Sequence, residues 1–302
     1  MESYCNLAKV YVEERFIDII HKGENLKIET LTASTEIAYL TQNADAKNSY
    51  VLLRGLCDSK KTVLCKITSD RSLKKIIDTR DKDLLGVSPK DAKQSCFVDA
   101  LFDDSTLLTC AIGPAGTGKS TLALAYGLPL CLSKKKKLYM SKSTALVGRG
   151  RAFGAVPGDV RDKYGPHVSS YQIILKKLLG DKSDSYLKIL EEKDQMQYIP
   201  IEYARGATFE NCTFIIDEVQ NLTWHELKTI CSRMGEGAKL VLLGDLEQID
   251  LNIKPEESGI YKLISSQGYT TSEIAAQVYL DQQYRGPIPT LMSDVDKELK
   301  SI

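Results

Sequence analysis

Residues 113–120 read GPAGTGKS, that is Gly113-Pro114-Ala115-Gly116-Thr117-Gly118-Lys119-Ser120, and this stretch decides the fold. The spacing G-x-x-x-x-G-K-S lets backbone N–H groups wrap a phosphate while Lys119 meets its charge. Its flanks are the ones the pattern requires. Residues 107–112 (LLTCAI) form an apolar run that reads as a buried strand, and residues 121–128 (TLALAYGL), beginning with Thr121, read as a helix start. Gly116 and Gly118 permit positive φ and leave no Cβ in the way of the phosphates. The helix N-terminus adds unpaired N–H donors and a favourable dipole. The stretch therefore predicts a triphosphate cradle over 113–121, with Lys119 reaching the β and γ phosphates and the Ser120 hydroxyl on Mg²⁺. The plainer alternative is a glycine turn that merely joins strand to helix.

Downstream, residues 212–216 (CTFII) form another short apolar run, ending in Asp217 and Glu218. Ligands in open α/β sheets bind at the carboxyl ends of strands. Asp217 is placed to hold Mg²⁺, and Glu218 to orient or deprotonate an attacking water. The same two residues could instead cap the helix that starts near Asn221-Leu222-Thr223. A third run, residues 239–243 (KLVLL), ends in Gly244 and Asp245, with Gln248 three positions on. A polar side chain there can touch a γ-phosphate, although a plain strand-to-loop turn fits the spacing equally well.

Together these blocks resemble the PhoH-like P-loop ATPases, relatives of the superfamily 1 helicases. The resemblance runs from about residue 86 to about residue 266. It rests on GPAGTGKS, FGAVPGD (153–159), YARGAT (203–208), FIIDEVQN (214–221), MGEGAK (234–239) and LGDLEQID (243–250), in the family order, with a fainter echo in QQYRGPI. It implies that Gln94, in SPKDAKQ, reads adenine, so that ATP is preferred. It implies that Gln220 and Gln248 link the γ-phosphate to a nucleic-acid side, that Arg205 couples ATP to a bound strand, and that Arg285 neutralises transition-state charge. Each arginine could instead be a solvated surface charge or a surface ion pair of little energetic weight. At one point the chain departs from the pattern: Met140-Ser141-Lys142-Ser143 stands where the family carries an arginine-proline pair. Lys142 keeps the charge without the planar fork. Residues 1–85 show no acidic cluster of the nuclease type, and no nuclease is expected.

The chain has 302 residues, with 40 Lys+Arg against 40 Asp+Glu, so no global field draws it to nucleic acid. Any strand-binding site must be a local patch. Candidates are the lysine run 134–137, Lys142, Arg149, Arg151, Arg161 and Lys163. Residues 148–165 read as a glycine-rich basic loop that could grip a single strand, place an arginine in a neighbouring subunit, or simply cover surface. Eight cysteines lack C-x-x-C spacing, and the three histidines are far apart, so no zinc pattern is seen. The apolar stretch near 122–132 is too short to span a bilayer and is interrupted by Gly127 and Pro129. No secretory signal is legible, and a cytoplasmic location is expected.

The expected fold class is α/β: a RecA-like P-loop core with a parallel sheet over 86–302, plus a small N-terminal α+β module over 1–85. In that module, residues 8–21 read as a helix, and residues 49–54 and 62–68 as a hairpin. A single core implies a site shared with a neighbour, and the family resemblance suggests a hexameric ring. The expected activity is Mg²⁺-dependent hydrolysis of ATP coupled to RNA or single-stranded DNA. A P-loop kinase and a nucleotide-gated binding module with little turnover remain alternatives.

Overall fold

The computed structural model describes residues 7–31, 48–143, 160–204, 206–249 and 254–284, plus positions 286, 288, 291, 295 and 298. The side chains of 160–168, 182 and 202 are not described. Two sheets organise these residues.

The N-terminal sheet has the order β1-β3-β4-β5-β2, from β1 (Ala8–Val12), β2 (Leu26–Lys27), β3 (Tyr50–Gly55), β4 (Thr62–Ile67) and β5 (Ser72–Lys75). β3 and β4 form the expected antiparallel hairpin, with Leu52 opposite Leu64. The expected helix from residue 8 is corrected: only Glu14–His21 is helical (α1), and Ala8–Val12 is a strand paired parallel to β3. Val10 and Val12 are buried while Lys9 and Tyr11 are exposed, a period of two that β-branched residues favour. Phe16, Ile17 and Ile20 of α1 close the small core.

The second sheet has six strands, β6 (Leu108–Ile112), β7 (Lys137–Lys142), β8 (Met196–Tyr198), β9 (Cys212–Asp217), β10 (Lys239–Gly244) and β11 (Ala275–Tyr279), in the order β11-β6-β10-β9-β7-β8. Every pairing is parallel. Counted from β6 and leaving out the edge strand β8, the order is 5-1-4-3-2, that of a RecA-like core. Apart from Thr213 and the end residues Asp217 and Lys239, its central strands β9 and β10 are apolar, because both faces are covered. On one face lie α2 (Ala92–Phe102), α3 (Lys119–Leu132) and α4 (Val160–Leu179). The other carries α6 (Trp224–Cys231) and α7 (Gly259–Ile264), while α5 (Ser183–Glu192) leads from α4 into β8.

Two sequence breaks do not break helices. α3 runs through Gly127 and Pro129. A Cβ at Gly127 would stand 2.9 Å from Leu138 Cδ1, so the glycine lets α3 lie close on β7. α4 is already helical at Val160, so the residues 148–165 expected as loop are helical in their last part.

The two sheets meet through α2. Tyr50 Oη donates to Asp99 Oδ2 (2.9 Å), Ile77 N–H to Asp99 Oδ1 (2.9 Å), and Lys66 pairs with Asp103. Asn48 Nδ2 donates to the carbonyls of Glu273 (2.8 Å) and Ala275 (2.9 Å). Burial raises the Asp99 carboxyl pKa, against the pull of the Ile77 N–H and the Tyr50 hydroxyl. Beneath this contact, Lys239 at the start of β10 donates to the carbonyls of Ala100, Leu101 and Asp103, satisfying the end of α2. Desolvation pulls its ammonium down to about 7.

Candidate functional site

Parallel register brings the polar strand ends to one edge. Ile112 lies opposite Gly244, Leu242 opposite Ile216, and Lys142 opposite Asp217. The cradle Gly113–Ser120 leaves β6 at that edge. Gly113 has φ 151°, its N–H donates to Gly244 O (3.0 Å), and a Cβ there would sit 1.9 Å from Leu280 O. No side chain fits. Gly116 and Gly118 take φ 88° and 90°, the positive values expected from the sequence. Lys119 is buried, and its Nζ donates to the loop carbonyls of Gly113 (2.5 Å) and Pro114 (2.9 Å). Thr117 Oγ1 also donates to Pro114 O (3.0 Å), tightening the loop.

Ser120 Oγ donates to Asp217 Oδ2 (2.7 Å), joining the two predicted metal residues across 97 positions of sequence. Burial raises the Asp217 carboxyl pKa, while the Ser120 hydroxyl and the Glu218 N–H (2.9 Å to Oδ1) oppose it. Glu218 has φ 57°, a left-handed conformation that costs about 1–2 kcal/mol in a residue other than glycine. The turn brings its carboxylate to Lys142 (3.7 Å) and to Gln220 Nε2 (2.7 Å).

Gln220 is fully buried and joins three groups. Its Nε2 also donates to Gln248 O (3.0 Å), and its Oε1 accepts from Asp245 N–H (3.0 Å). Three sequence candidates, Glu218, Gln220 and Gln248, thus form one hydrogen-bonded chain. After them, Thr223 and Glu226 form a capping box that starts α6, so helix capping falls to Thr223 rather than to the acidic pair. Asp245, to which the sequence assigned no role, is buried at the same edge. Its Oδ1 accepts from Glu247 N–H, its Oδ2 has no hydrogen-bond partner among the described residues, and burial raises its pKa. The sequence signal was Gly244-Asp245 at the end of an apolar strand.

Gln94 lies under the cradle. Its Nε2 donates to Thr117 O (2.8 Å), its Oε1 accepts from Lys90 N–H (2.7 Å), and Asp91 caps its helix. Tyr284 was also missed. Its N–H donates to Gly116 O (3.0 Å), its hydroxyl to Asp91 Oδ2 (2.5 Å), and Lys90 Nζ lies 4.7 Å from its ring centroid. Burial, with the Asp91 carboxylate, pushes its phenol up to about 12. Lys119, Ser120, Thr121, Gln94, Lys142, Asp217, Glu218 and Gln248 border one cleft of about 680 Å³ with Tyr284.

Arg149, Arg151, Arg205 and Arg285 lie outside the described residues, and Arg161 falls in α4 where side chains are not described. No helix among the described residues is long and apolar enough to cross a membrane.

A phosphate cradle, a serine on a strand-end aspartate and an adjoining glutamate occur here with a matching family model, PhoH-like protein, over residues 86–288. The chain belongs to the PhoH-like family. Protein PhoH2 of Bacillus subtilis is 30% identical over 256 residues, 82% of this chain and 54% of its own length. Protein PhoH2 of Mycolicibacterium smegmatis is 30% identical over 72% of this chain and 49% of its own length. The chain spans about half the length of these curated relatives. Among solved structures, Pif1 helicase from Candida albicans matches 69% of this chain and 43% of its own, at 18% identity and a TM-score of 0.35. Strand order, rather than that distant likeness, defines the core. This PhoH-like chain has a RecA-like P-loop core.

Proposed function

We propose that the protein hydrolyses ATP to ADP and phosphate with Mg²⁺, and couples the cycle to RNA or single-stranded DNA. The observation that carries this reading is the Ser120 Oγ–Asp217 Oδ2 contact of 2.7 Å beside the buried Lys119. A hydroxyl and a half-buried carboxylate are hard oxygen donors, a set that fits Mg²⁺. Ser120 and Asp217 would hold the ion, which, when bound, neutralises charge on the phosphates. Lys119 would exchange the carbonyls of Gly113 and Pro114 for β- and γ-phosphate oxygens. The cradle N–H groups would hold the chain of phosphates in line for attack.

Glu218 is the base of this reading. It takes a proton from the attacking water, with Lys142 balancing its charge and Gln220 setting its orientation. Gln248 would respond to the γ-phosphate and pass its state through Gln220 to Glu218. Arg285 is assigned to transition-state charge and Gln94 to the choice of adenine. Lys142, Arg149, Arg151, Arg161 and Arg205 are assigned to the strand or to coupling. Assembly into a hexameric ring in the cytoplasm belongs to the same proposal.

Phosphate release across a panel of RNA and DNA oligomers tests it: stimulation by some of them is expected, and no turnover with any oligomer would overturn it. Light scattering with and without ATP and Mg²⁺ tests the ring, and a fully active monomer would remove the shared site. A second reading, a nucleotide-gated module with little turnover, draws on the hold that Gln220 and Lys142 have on Glu218. Nucleotide-dependent oligomer binding without phosphate release would favour it.

A further inference from the structure

The cleft is divided chemically. Lys119, Asp217 and Glu218 make one part charged, whereas Leu85 and Val87 ahead of α2, and Ile174 and Leu178 of α4, line an apolar remainder. At about 680 Å³ the cleft lies in the range of pockets that take small ligands whole. A bare triphosphate has no use for those apolar walls.

The contribution of α4 follows one helical face. Ser170, Ile174, Lys177 and Leu178 all border the cleft, at spacings of four, seven and eight residues from the first. That face is fixed from behind: Tyr171 is fully buried, its hydroxyl donates to Ser141 O (2.7 Å), and Leu175 is fully buried in the cluster that includes α3. Ser170 Oγ is shielded from water and has no hydrogen-bond partner among the described residues. Lys177 sets an exposed ammonium at the rim. An apolar slot opening onto a phosphate cradle suits a flat aromatic body that carries a triphosphate.

We propose that α4 is the nucleoside wall of the site, with the base and ribose of a nucleoside triphosphate resting against Ile174 and Leu178 and bounded by Leu85 and Val87. This rests on the nucleotide reading above and adds to it the part of the ligand that the cradle does not touch. On this assignment the nucleoside and the phosphates are held by different segments, so their contributions to binding separate.

Calorimetry of the full chain with Mg²⁺, titrating either ATP or inorganic tripolyphosphate, tests the assignment in two variants that leave charge unchanged. Ile174→Trp fills the slot from a part-exposed position, and Leu178→Ala empties it. ATP affinity is expected to fall about tenfold or more in Ile174→Trp and about three- to tenfold in Leu178→Ala. Tripolyphosphate binding should stay at the wild-type level in both, which also reports that each variant is folded. Unchanged ATP affinity in both variants would overturn the proposal, as would an equal loss for the two ligands or wild-type protein that binds tripolyphosphate as tightly as ATP. Wild-type protein that binds neither ligand would remove the nucleotide reading itself, and this inference with it.

Discussion

The two sheets handle their strand ends in opposite ways. In the six-stranded sheet every pairing is parallel, so Gly113, Lys142, Asp217 and Asp245 leave their strands in one direction and converge. In the N-terminal sheet three of the four pairings are antiparallel, and successive ends point to opposite edges. Its polar groups gather instead where it rests on α2, as Tyr50 on Asp99 and Lys66 on Asp103. Direction of pairing, more than composition, separates a sheet that builds a site from one that braces it.

The sharpest way to break this contrast is to disable the converging edge. Glu218→Gln is expected to keep nucleotide binding and to lower phosphate release by about 10²–10⁴-fold; turnover at the normal rate would remove Glu218 as base. Lys119→Ala should abolish binding or turnover in the same assay.

Next in size is the floor beneath α2. Lys239→Met removes the donor shared by the carbonyls of Ala100, Leu101 and Asp103, of which Asp103 O keeps the Thr106 N–H, and should cost about 2–4 kcal/mol in chemical denaturation. Because the folded chain sheds the Lys239 proton near pH 7, below the ordinary lysine value, the wild type should gain stability as pH rises from about 7 towards 10. The variant should lack that rise.

The bracing contact comes third. Tyr50→Phe removes one hydrogen bond from Asp99 and should cost about 1–2 kcal/mol while phosphate release stays near wild type. A large loss of turnover with little loss of stability would mean that the N-terminal sheet acts on the chemistry. Smallest in its effect on stability is Asp217→Asn, expected to raise the melting temperature of the ligand-free protein while ending turnover. The Asp217 carboxyl has a folded pKa above its unfolded one, so its ionisation penalises the fold as pH rises through and beyond the carboxylate range. Thermal melts of both proteins at pH 4 and pH 7 should diverge at the higher pH.

Much of the core was legible because strand ends and loop chemistry coincide in sequence. The runs at 107–112, 212–216 and 239–243 match β6, β9 and β10 within a residue or two, and the glycine φ values followed from the motif. Only the start of the N-terminal helix was misread: Val12 falls in step with the helical stripe of Phe16, Ile19 and Ile20, while pairing with β3 decides the state of Ala8–Val12. Tyr284 and the α4 face were invisible for a different reason. Tyr284 is 168 positions from Gly116, and no local pattern announces that its amide meets that carbonyl. Gln220 could be named as a coupling residue, but its triple bonding needed β9 and β10 side by side.

The Tyr284–Gly116 bond makes the segment after β11 a mechanical tether. A pull on the chain just beyond residue 284 reaches the loop around Lys119 through a single hydrogen bond and the Leu280 backbone packed on Gly113. Anything that displaces the segment after β11 therefore displaces the phosphate cradle with it.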